Sequence, residues 1–489
     1  MKETVAKPSQ LLMHVGGRWV GSAGGATFQS VSPVTGETLA VLPKSGREDA
    51  RAAVAAANAA RPRIADMPVF DRARLCQRIA EALESRAPRM ARELSMEQGK
   101  PVSEAESEIR FAAELYRDAG ENVKRMETAL IPSPDPSKRI FTLRQPHGVV
   151  AVLTPWNYPV GIPSEYLAAS VASGNAVVWK PAPTTSLIAV RLLEAILEAG
   201  MPEGVVNLIF GDAEAGDEIV SNPGTHAVGF TGSSATGNLI AQRAGAKPVL
   251  LELGGNGPTI ILDDADLEAA VKGTAFGCFS NAGQICQSSE RILVSEHVHD
   301  DVLHGLVESA RAIKVGNPLD PVTTMGPLNN EGVAGKMDDH VRDAVATGAS
   351  VAFGGRRAEG FPTPLYYEPT VIDGVKPGSL IDLEETFGPI APLIPVKDMD
   401  EAIALANDCQ LGLCAAVYTS SLRKAFHCAE RLQCGVVNVN ETPAYWDGRT
   451  PFGGYSGKGS GVGRLGGMAT VHAMTQVKSV VLDLHNVSG

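Results

Sequence analysis

Between residues 148 and 253, short apolar runs alternate with amphipathic helical patterns, and this alternation restricts the fold more than any other feature of the sequence. The apolar runs cover residues 149–153, 176–179, 205–210 and 227–230. A helical pattern at 186–199 separates two of them and is closed by Gly200 and Pro202. Strands that alternate with helices form a parallel, doubly wound sheet, because the crossover helices cover both of its faces. We therefore predict an α/β fold.

The carboxyl ends of these predicted strands carry residues suited to ligand binding. They are Thr154, Pro155, Trp156 and Asn157 after the first strand, Lys180 after the second, Gly211 after the third, and Gly232 and Ser233 after the fourth. Ligands of doubly wound sheets bind beyond these ends. The segment 232–237 opens a helix whose free N–H groups suit a pyrophosphate, and Lys180 can reach a ribose or phosphate oxygen. A nucleotide site is one interpretation; ordinary glycine turns are the other, because the motif GxGxxG is absent.

A second α/β pattern follows the first. Strand-like runs lie at 258–262, 291–294 and 414–418, and a helical pattern lies at 300–313. Residues 251–257 read Leu-Glu-Leu-Gly-Gly-Asn-Gly, a flexible crossing between the two patterns. We expect the second set of strands to form a different sheet.

A cysteine follows a predicted sharp turn within the stretch 276–288. Gly283 lets the backbone turn, so that Cys286 can present its sulfur and neighbouring N–H groups to an open site. Cys286 is therefore a candidate nucleophile. The alternative is an inert small hydrophobe, since the chain has seven cysteines.

Composition narrows the class of protein. The formal net charge of −12 disfavours nucleic acid and anionic membranes as main partners. No apolar run approaches the length of a bilayer span, and the first residues do not resemble a secretory signal. The cysteines form no CxxC pair and no cluster has metal-ligand spacing, so we expect reduced thiols, a cytoplasmic location and no metal.

Three prolines at 131–136 precede a strand-like run at 140–144, and a second such run lies at 479–484. Proline breaks helices and central strands, so the first run is expected to be an exposed ribbon. Such a ribbon either pairs with a partner subunit or forms a surface hairpin on its own subunit.

Seven short motifs carry a family resemblance. In chain order they are Pro-Trp-Asn-Tyr-Pro around Asn157, Trp-Lys-Pro around Lys180, Phe-Thr-Gly-Ser ending at Ser233, Leu-Glu-Leu-Gly-Gly-Asn around Glu252, Gly-Gln-Ile-Cys ending at Cys286, Glu-Thr-Phe-Gly-Pro from Glu385, and Pro-Phe-Gly-Gly around Phe452. Together they make the chain resemble the aldehyde dehydrogenase superfamily from Val15 to Leu484.

The resemblance implies NAD(P)-dependent oxidation of an aldehyde to a carboxylic acid through a thiohemiacetal and a thioester. Cys286 matches the family nucleophile, and the side-chain amide of Asn157 with the Cys286 backbone N–H matches the oxyanion hole. Glu252 matches the general base that activates water. Branches that transfer the acyl group to coenzyme A lack this base, so Glu252 implies the hydrolytic branch.

The resemblance also implies the cofactor residues. Lys180 and Ser233 match family residues that contact the adenosine ribose and the pyrophosphate. Glu385 matches the residue that holds the nicotinamide ribose, and Phe387 matches the residue that packs beside the nicotinamide. Trp156 and Gly232 are expected in the same cleft, together with Thr154, Pro155 and Gly211. Pro183 stands where the family often has an acid that accepts both ribose hydroxyls. NAD and NADP therefore both stay open as cofactors.

Two further positions depart from the family pattern. Tyr166 and Leu465 stand where many hydrolytic members have a lysine and a glutamate that relay the proton from the base. The relay is therefore expected to differ, and water is one candidate for it.

Positions that match the family's substrate tunnel are Tyr158, Ile162, Glu165, Ile285, Gln287, Trp446 and Phe452. Their aromatic rings favour an aromatic or hydrophobic aldehyde. The same rings with Glu165 suit a cationic amino-aldehyde as the alternative. No arginine falls at these positions, which disfavours a carboxylated semialdehyde unless another loop supplies one. A broad-range enzyme is a further alternative.

We predict a Rossmann-like cofactor domain at 1–124 and 144–252, a catalytic α/β domain at 253–469, and small β oligomerisation segments at 125–143 and 470–489. Such segments imply a homodimer or homotetramer. Two rival functions remain: an esterase or thioesterase that uses Cys286 without a cofactor, and a catalytically silent structural protein of the same fold.

Overall fold

Two large sheets, one three-stranded sheet near the N-terminus and one three-stranded ribbon organise residues 8–486, the part of the chain that the computed structural model describes. The strands are β1 (Ser9–Gln10), β2 (Met13–Val15), β3 (Arg18–Val20), β4 (Thr27–Val31), β5 (Thr38–Pro43), β6 (Leu130–Ile131), β7 (Lys138–Pro146), β8 (Val149–Leu153), β9 (Ala176–Lys180), β10 (Val206–Leu208), β11 (Ala227–Thr231), β12 (Val249–Glu252), β13 (Pro258–Ile261), β14 (Arg291–Ser295), β15 (Ser350–Phe353), β16 (Thr370–Asp373), β17 (Ile390–Val396), β18 (Cys414–Tyr418), β19 (Val436–Val439), β20 (Gly461–Val462) and β21 (Thr475–Asp483). The helices are α1 (Arg47–Ala65), α2 (Val69–Gln98), α3 (Val102–Lys124), α4 (Gly161–Ser173), α5 (Ser186–Glu198), α6 (Ala213–Ser221), α7 (Ser234–Ala244), α8 (Leu267–Phe279), α9 (His299–Ala312), α10 (Glu331–Ala346), α11 (Leu380–Leu383), α12 (Met399–Asn407), α13 (Leu422–Arg431) and α14 (Gly467–Ala473).

The first large sheet has the strand order β20-β12-β11-β8-β9-β10-β2-β3. Its five central strands are parallel, and the flanking β20 and β2 pair antiparallel to it. Strands β8, β9 and β11 are buried along their whole length, because helices cover both faces of the sheet. The chain runs from β8 to β9 in one direction and later adds β11 on the other side. A ligand crevice is therefore expected beyond the carboxyl ends of β8 and β11.

The second large sheet has the order β15-β16-β17-β14-β13-β18-β19, and all of its pairs except β15 with β16 are parallel. The chain passes to it between Glu252, the last residue of β12, and Pro258, the first residue of β13. A Cβ atom on Gly255 would lie 2.1 Å from the carbonyl oxygen of Cys286. Glycine is therefore required where this crossing passes against the cysteine turn.

The ribbon consists of β6, β7 and β21, and β7 pairs with β21 in antiparallel register from Lys138–Asp483 to Pro146–Thr475. Large apolar side chains on it are exposed, among them Leu130, Val477 and Val481. The ribbon is thus built within one chain. Its role in oligomerisation stays a prediction, as do the domain boundaries.

No helix among residues 8–486 is both long and apolar enough to cross a membrane. The cytoplasmic location stays a prediction.

Candidate active site

Two cavities meet at Cys286 and Glu252. One is a cleft of about 260 Å³ beyond the carboxyl ends of β8 and β11. The other is a tunnel of about 440 Å³ that begins beside α3 and α4. Cys286 and Glu252 line both cavities. A reactant in the tunnel and a second ligand in the cleft would therefore meet at these two side chains.

An unusual turn delivers Cys286 to this junction. Helix α8 ends at Phe279, and Asn281, Ala282 and Gly283 follow with φ of 49°, 54° and 72°. A Cβ atom on Gly283 would lie 2.1 Å from the carbonyl oxygen of Gly388, so the turn requires glycine there. The sharp turn predicted at Gly283 is present.

Burial and neighbouring carboxyl groups raise the pKa values of both the nucleophile candidate and the base candidate. Burial raises the pKa of the Cys286 thiol well above its ordinary value, and the carboxyl groups of Glu252 and Glu385 add to the effect. Burial and Glu385 likewise raise the pKa of Glu252, while a hydrogen bond with the Cys286 thiol lowers it in part. The Glu252 Oε1 atom has no hydrogen-bond partner among the residues described. A proton acceptor with one free oxygen thus lies beside the sulfur.

Asn157 follows β8, and its side chain is held toward the cysteine turn. Its Nδ2 donates to the carbonyl oxygen of Gln284 at 3.0 Å. An asparagine amide has two N–H donors, so one remains for an oxyanion. The arrangement matches the oxyanion-hole role implied by the sequence.

Nine residues predicted from the sequence line the cleft. They are Pro155, Trp156, Asn157, Gly232, Ser233, Glu252, Cys286, Glu385 and Phe387. Ser233 caps α7 by accepting from the Thr236 N–H, which leaves the first N–H groups of that helix directed toward the cleft.

Three predicted cofactor residues do not line the cleft. Thr154 is buried, and its Oγ1 accepts from Trp179 Nε1 at 2.9 Å. Lys180 ends β9; its ammonium has one hydrogen bond among the residues described, to the Pro181 carbonyl at 3.5 Å, and burial lowers its pKa to about 8. Gly211 lies after β10 with φ of 139°. All three lie at the same edge of the sheet as the cleft.

Glu290 directly precedes β14 of the second sheet and holds the segment that carries Glu385 and Phe387 in the cleft. Glu290 accepts from the backbone N–H groups of Thr386 at 2.8 Å and Phe387 at 3.0 Å. These bonds stabilise Phe387 in the left-handed region, at φ of 59°, with its ring edge-on to Trp156 at 5.5 Å. Burial raises the pKa of Glu385 to about 7.

The sequence reasoning missed part of the cleft. Asn330, Gly332, Val333 and Lys336 at the start of α10 line it, and Lys336 Nζ donates to the Glu385 carbonyl at 2.6 Å. Thr231, Leu253, Gly254 and Thr386 also line it; they lie within the predicted motifs but were not predicted as site residues. Nothing in the sequence around α10 distinguishes it from an ordinary surface helix.

All seven predicted tunnel residues line the tunnel: Tyr158, Ile162, Glu165, Ile285, Gln287, Trp446 and Phe452. The ring of Trp446 packs against Phe111 at 5.6 Å and Phe452 at 5.2 Å. One wall was missed: Ser103, Glu104, Ser107, Glu108 and Phe111 of α3. Their spacing at i, i+4 and i+8 puts them on one helix face, a signal that was available in the sequence.

The tunnel lining contains four carboxyl groups and, among the residues described, no lysine or arginine. Glu108 pairs with Lys100 behind the wall at 2.7 Å. Glu165 has no such partner: its Oε1 makes no hydrogen bond among the residues described. Burial raises the pKa of Glu165 well above its ordinary value, and Asp118 adds to it.

The two departures from the family pattern, Tyr166 and Leu465, are both buried. The Tyr166 hydroxyl donates to the Phe230 carbonyl at 3.0 Å and lies 2.8 Å from Thr231 Oγ1. Leu465 lines the tunnel. Neither side chain replaces the charge of the lysine or glutamate that many relatives have, so no ionic relay forms from these two positions.

The chain is similar to known proteins over nearly its whole length. Residues 19–480 match the aldehyde dehydrogenase family. The chain is 37% identical over 475 residues to a glutarate-semialdehyde dehydrogenase of Pseudomonas aeruginosa, covering 96% of this chain and 97% of that protein. It is 36% identical over 473 residues to an Escherichia coli succinate-semialdehyde dehydrogenase named for NADP(+), with 96% and 97% covered. The crystal structure of an NAD-dependent aldehyde dehydrogenase from Sinorhizobium meliloti superposes with a TM-score of 0.95 at 36% identity, covering 99% of this chain and 96% of that one. The α/β fold class predicted from the sequence is confirmed.

Proposed function

Since this chain belongs to the aldehyde dehydrogenase family and its reaction is the NAD(P)-dependent oxidation of an aldehyde, we propose that Cys286, Glu252 and Asn157 carry out that reaction. The observation that carries the proposal is the meeting of cleft and tunnel at Cys286 and Glu252. A cavity for the aldehyde and a cavity for the cofactor then share the reacting atoms.

In the proposed mechanism the Cys286 thiol releases its proton to water and its sulfur adds to the aldehyde carbon. The Asn157 amide and the Cys286 backbone N–H stabilise the oxyanion. NAD(P), when bound in the cleft, would supply the hydride acceptor, and a thioester on Cys286 would remain after the hydride has left. Glu252 then removes a proton from the water that attacks the thioester. The carboxylic acid leaves and the thiol is restored.

The residues around the cleft fit a dinucleotide. The buried Lys180 ammonium lacks a carboxylate within bonding distance among the residues described, and ribose or phosphate oxygens would supply the missing acceptors. The N-terminus of α7 at Ser233 would hold the pyrophosphate. Glu385 would hold the nicotinamide ribose, with Trp156 and Phe387 beside the ring.

For the substrate we propose an amino-aldehyde, the alternative that the sequence left open. The tunnel combines aromatic rings with the Glu165 carboxyl, whose Oε1 has no hydrogen-bond partner, and no lysine or arginine lines it among the residues described. A substrate ammonium would ionise Glu165 and pair with it, and the rings would stabilise the cation further.

A semialdehyde of a dicarboxylic acid is the second candidate, because the two relatives above are named for glutarate and succinate semialdehydes. Their names support this candidate better than the aromatic or hydrophobic aldehyde predicted from the sequence. A substrate carboxylate would meet the Glu165 carboxyl, which could serve it only in the protonated form, as a hydrogen-bond donor.

A matched panel tests both levels of the proposal. Reduced nicotinamide is followed by absorbance with 3-aminopropanal, succinic semialdehyde, propanal and benzaldehyde, each with NAD and NADP, for wild type and Cys286→Ala. The first two substrates differ chiefly in ammonium against carboxylate, so their kcat/KM ratio reports the charge that the tunnel prefers. Silence of wild type with all aldehydes, or ester hydrolysis that ignores NAD(P), would overturn the dehydrogenase assignment. Absence of cofactor binding would favour a structural protein.

We also propose that the ribbon of β6, β7 and β21 joins copies of the chain into a homodimer or homotetramer. Its support is the exposed apolar surface that includes Leu130, Val477 and Val481.

A further inference from the structure

A fully buried ion pair lies behind Asn157, and the mechanism above does not use it. Lys100 Nζ and Glu108 Oε2 are 2.7 Å apart, and their side chains are 0% and 1% exposed. Removing two charges from water is unfavourable unless close geometry and further hydrogen bonds offset it. The structure supplies such bonds, and all of them go to one loop.

That loop connects β8 to α4 and carries Asn157. Lys100 Nζ donates to the Asn157 carbonyl at 2.8 Å. Glu108 Oε1 accepts from the backbone N–H groups of Val160 at 2.8 Å and Gly161 at 3.0 Å. The ion pair therefore holds the loop at Asn157, near its middle, and at its end.

The cysteine turn supports the same carbonyl. Asn281 Nδ2 donates to the Asn157 carbonyl at 3.1 Å and to the Gln284 carbonyl at 3.3 Å. The Gln284 carbonyl is also the acceptor for Asn157 Nδ2 at 3.0 Å. Asn281 is oriented by Gln98, whose Nε2 donates to its Oδ1 at 3.0 Å. Asn157 is thus held at its backbone and at its side chain relative to the nucleophile.

The ammonium of Lys100 also lies 3.8 Å from the ring centroid of Tyr158, which lines the tunnel. Its contacts are therefore a carboxylate, the carbonyl of the oxyanion residue and the face of a tunnel residue. The Lys100 side chain itself is fully buried and lines neither the cleft nor the tunnel.

We propose that Lys100, paired with Glu108, is a positioning residue that keeps the Asn157 amide aimed at the developing oxyanion. The inference rests on the proposed role of Asn157. Without the ammonium, the Asn157 carbonyl keeps one donor, Asn281, and the loop loses its anchor at Asn157. Small displacements of an oxyanion donor reduce the rate of the chemical step while leaving cofactor binding intact.

The test uses Lys100→Met, which removes the donor and keeps the length, and Lys100→Met with Glu108→Gln, which removes both charges and keeps an acceptor for the Val160 and Gly161 N–H groups. We expect kcat and kcat/KM to fall together by about 10- to 100-fold, with an unchanged Kd for NAD(P) and loss of the pre-steady-state burst of reduced nicotinamide. Lys424→Gln is the matched control, because Lys424 forms a surface ion pair with Asp263.

The double variant keeps the test available if the unpaired Glu108 prevents folding of the single one. The decisive measurement repeats the substitutions in an Asn157→Ala background. If Lys100 acts through Asn157, its removal has little further effect there. An undiminished loss in that background, or wild-type kcat in the folded double variant, would overturn the inference. Failure of wild type to oxidise any aldehyde would instead overturn the proposed function.

Discussion

The side chains of Glu252 and Cys286 line the same junction of cleft and tunnel, although Glu252 ends a strand of the first sheet and Cys286 precedes a strand of the second. The glycine-rich crossing at 253–257 makes this approach possible, because Gly255 packs against the Cys286 carbonyl. The approach places a proton acceptor beside the nucleophile. It also leaves two groups at the junction that are both hard to ionise.

Glu252→Gln is expected to stop the reaction after hydride transfer. The first turnover can still release reduced nicotinamide, whereas deacylation loses its base and kcat falls by at least about 100-fold. Rapid mixing should show a burst near one equivalent, and intact mass spectrometry should show an acyl group on Cys286. Absence of both the burst and the adduct would mean that Glu252 is needed before the thioester forms.

The same substitution is expected to stabilise the fold at alkaline pH. The folded-state pKa of Glu252 is raised, so above the ordinary carboxyl pKa the unfolded chain ionises this group while the folded chain does not. Stability contributed by Glu252 therefore falls as pH rises, and Glu252→Gln removes that loss. Thermal unfolding of wild type and variant at about pH 5 and pH 9 measures it. An equal Tm difference at both pH values would contradict this expectation.

Activity should rise with pH in wild type. Both the Cys286 thiol and the Glu252 carboxyl have raised pKa values, so their reactive ionised forms become populated only above the ordinary range. We expect kcat/KM for the aldehyde to increase between about pH 6 and pH 9 at saturating cofactor. A profile that is flat or falls across this range would show that bound cofactor or substrate reverses the shifts.

Glu165→Gln should separate substrates by charge. The variant keeps the shape of the tunnel but cannot supply a carboxylate, so kcat/KM for 3-aminopropanal should fall by about 10-fold or more while propanal changes little. Glu268→Gln on the exposed face of α8 is the matched control. Equal losses for both aldehydes would indicate a packing defect and not recognition of an ammonium group.

Pro183→Glu should reduce the use of NADP. Pro183 is exposed near the end of β9, and no carboxylate pairs with Lys180 among the residues described, so nothing at this position repels a 2′-phosphate. A glutamate there would repel it, and KM for NADP should rise several-fold relative to KM for NAD. The Lys180 ammonium, with a pKa of about 8, loses its charge as pH rises, so wild-type KM for NADP should also increase above that pH. Unchanged KM ratios would place the phosphate elsewhere.

Val481→Asp on the ribbon should weaken self-association. Val481 is 59% exposed on β21, and a charge there would have to be desolvated in an interface. Light scattering should show a smaller species than wild type, with secondary structure unchanged by circular dichroism. Val322→Asp, at a side chain 69% exposed outside the ribbon, is the control and should keep the wild-type mass. The same mass for both variants would exclude this surface from the interface.

The sequence by itself determined the alternation of strands and helices between residues 148 and 253, the turn at Gly283 and the seven motifs. These are local properties: the periodicity of apolar residues and the need for glycine at a left-handed turn are encoded within a few neighbouring positions. The site residues were predicted from the family resemblance of the motifs: all seven predicted tunnel residues lie in one cavity, and nine predicted residues line the cleft.

Only the tertiary structure decided how distant segments meet. It placed Lys100 against the Asn157 carbonyl, brought the start of α10 into the cleft, and formed a tunnel whose described lining has four carboxyl groups and no cation. Such contacts depend on how helices pack on sheets, which a single sequence does not specify. The sequence shows which residues are charged, whereas the partner and the burial of each charge follow from the packing of the whole fold.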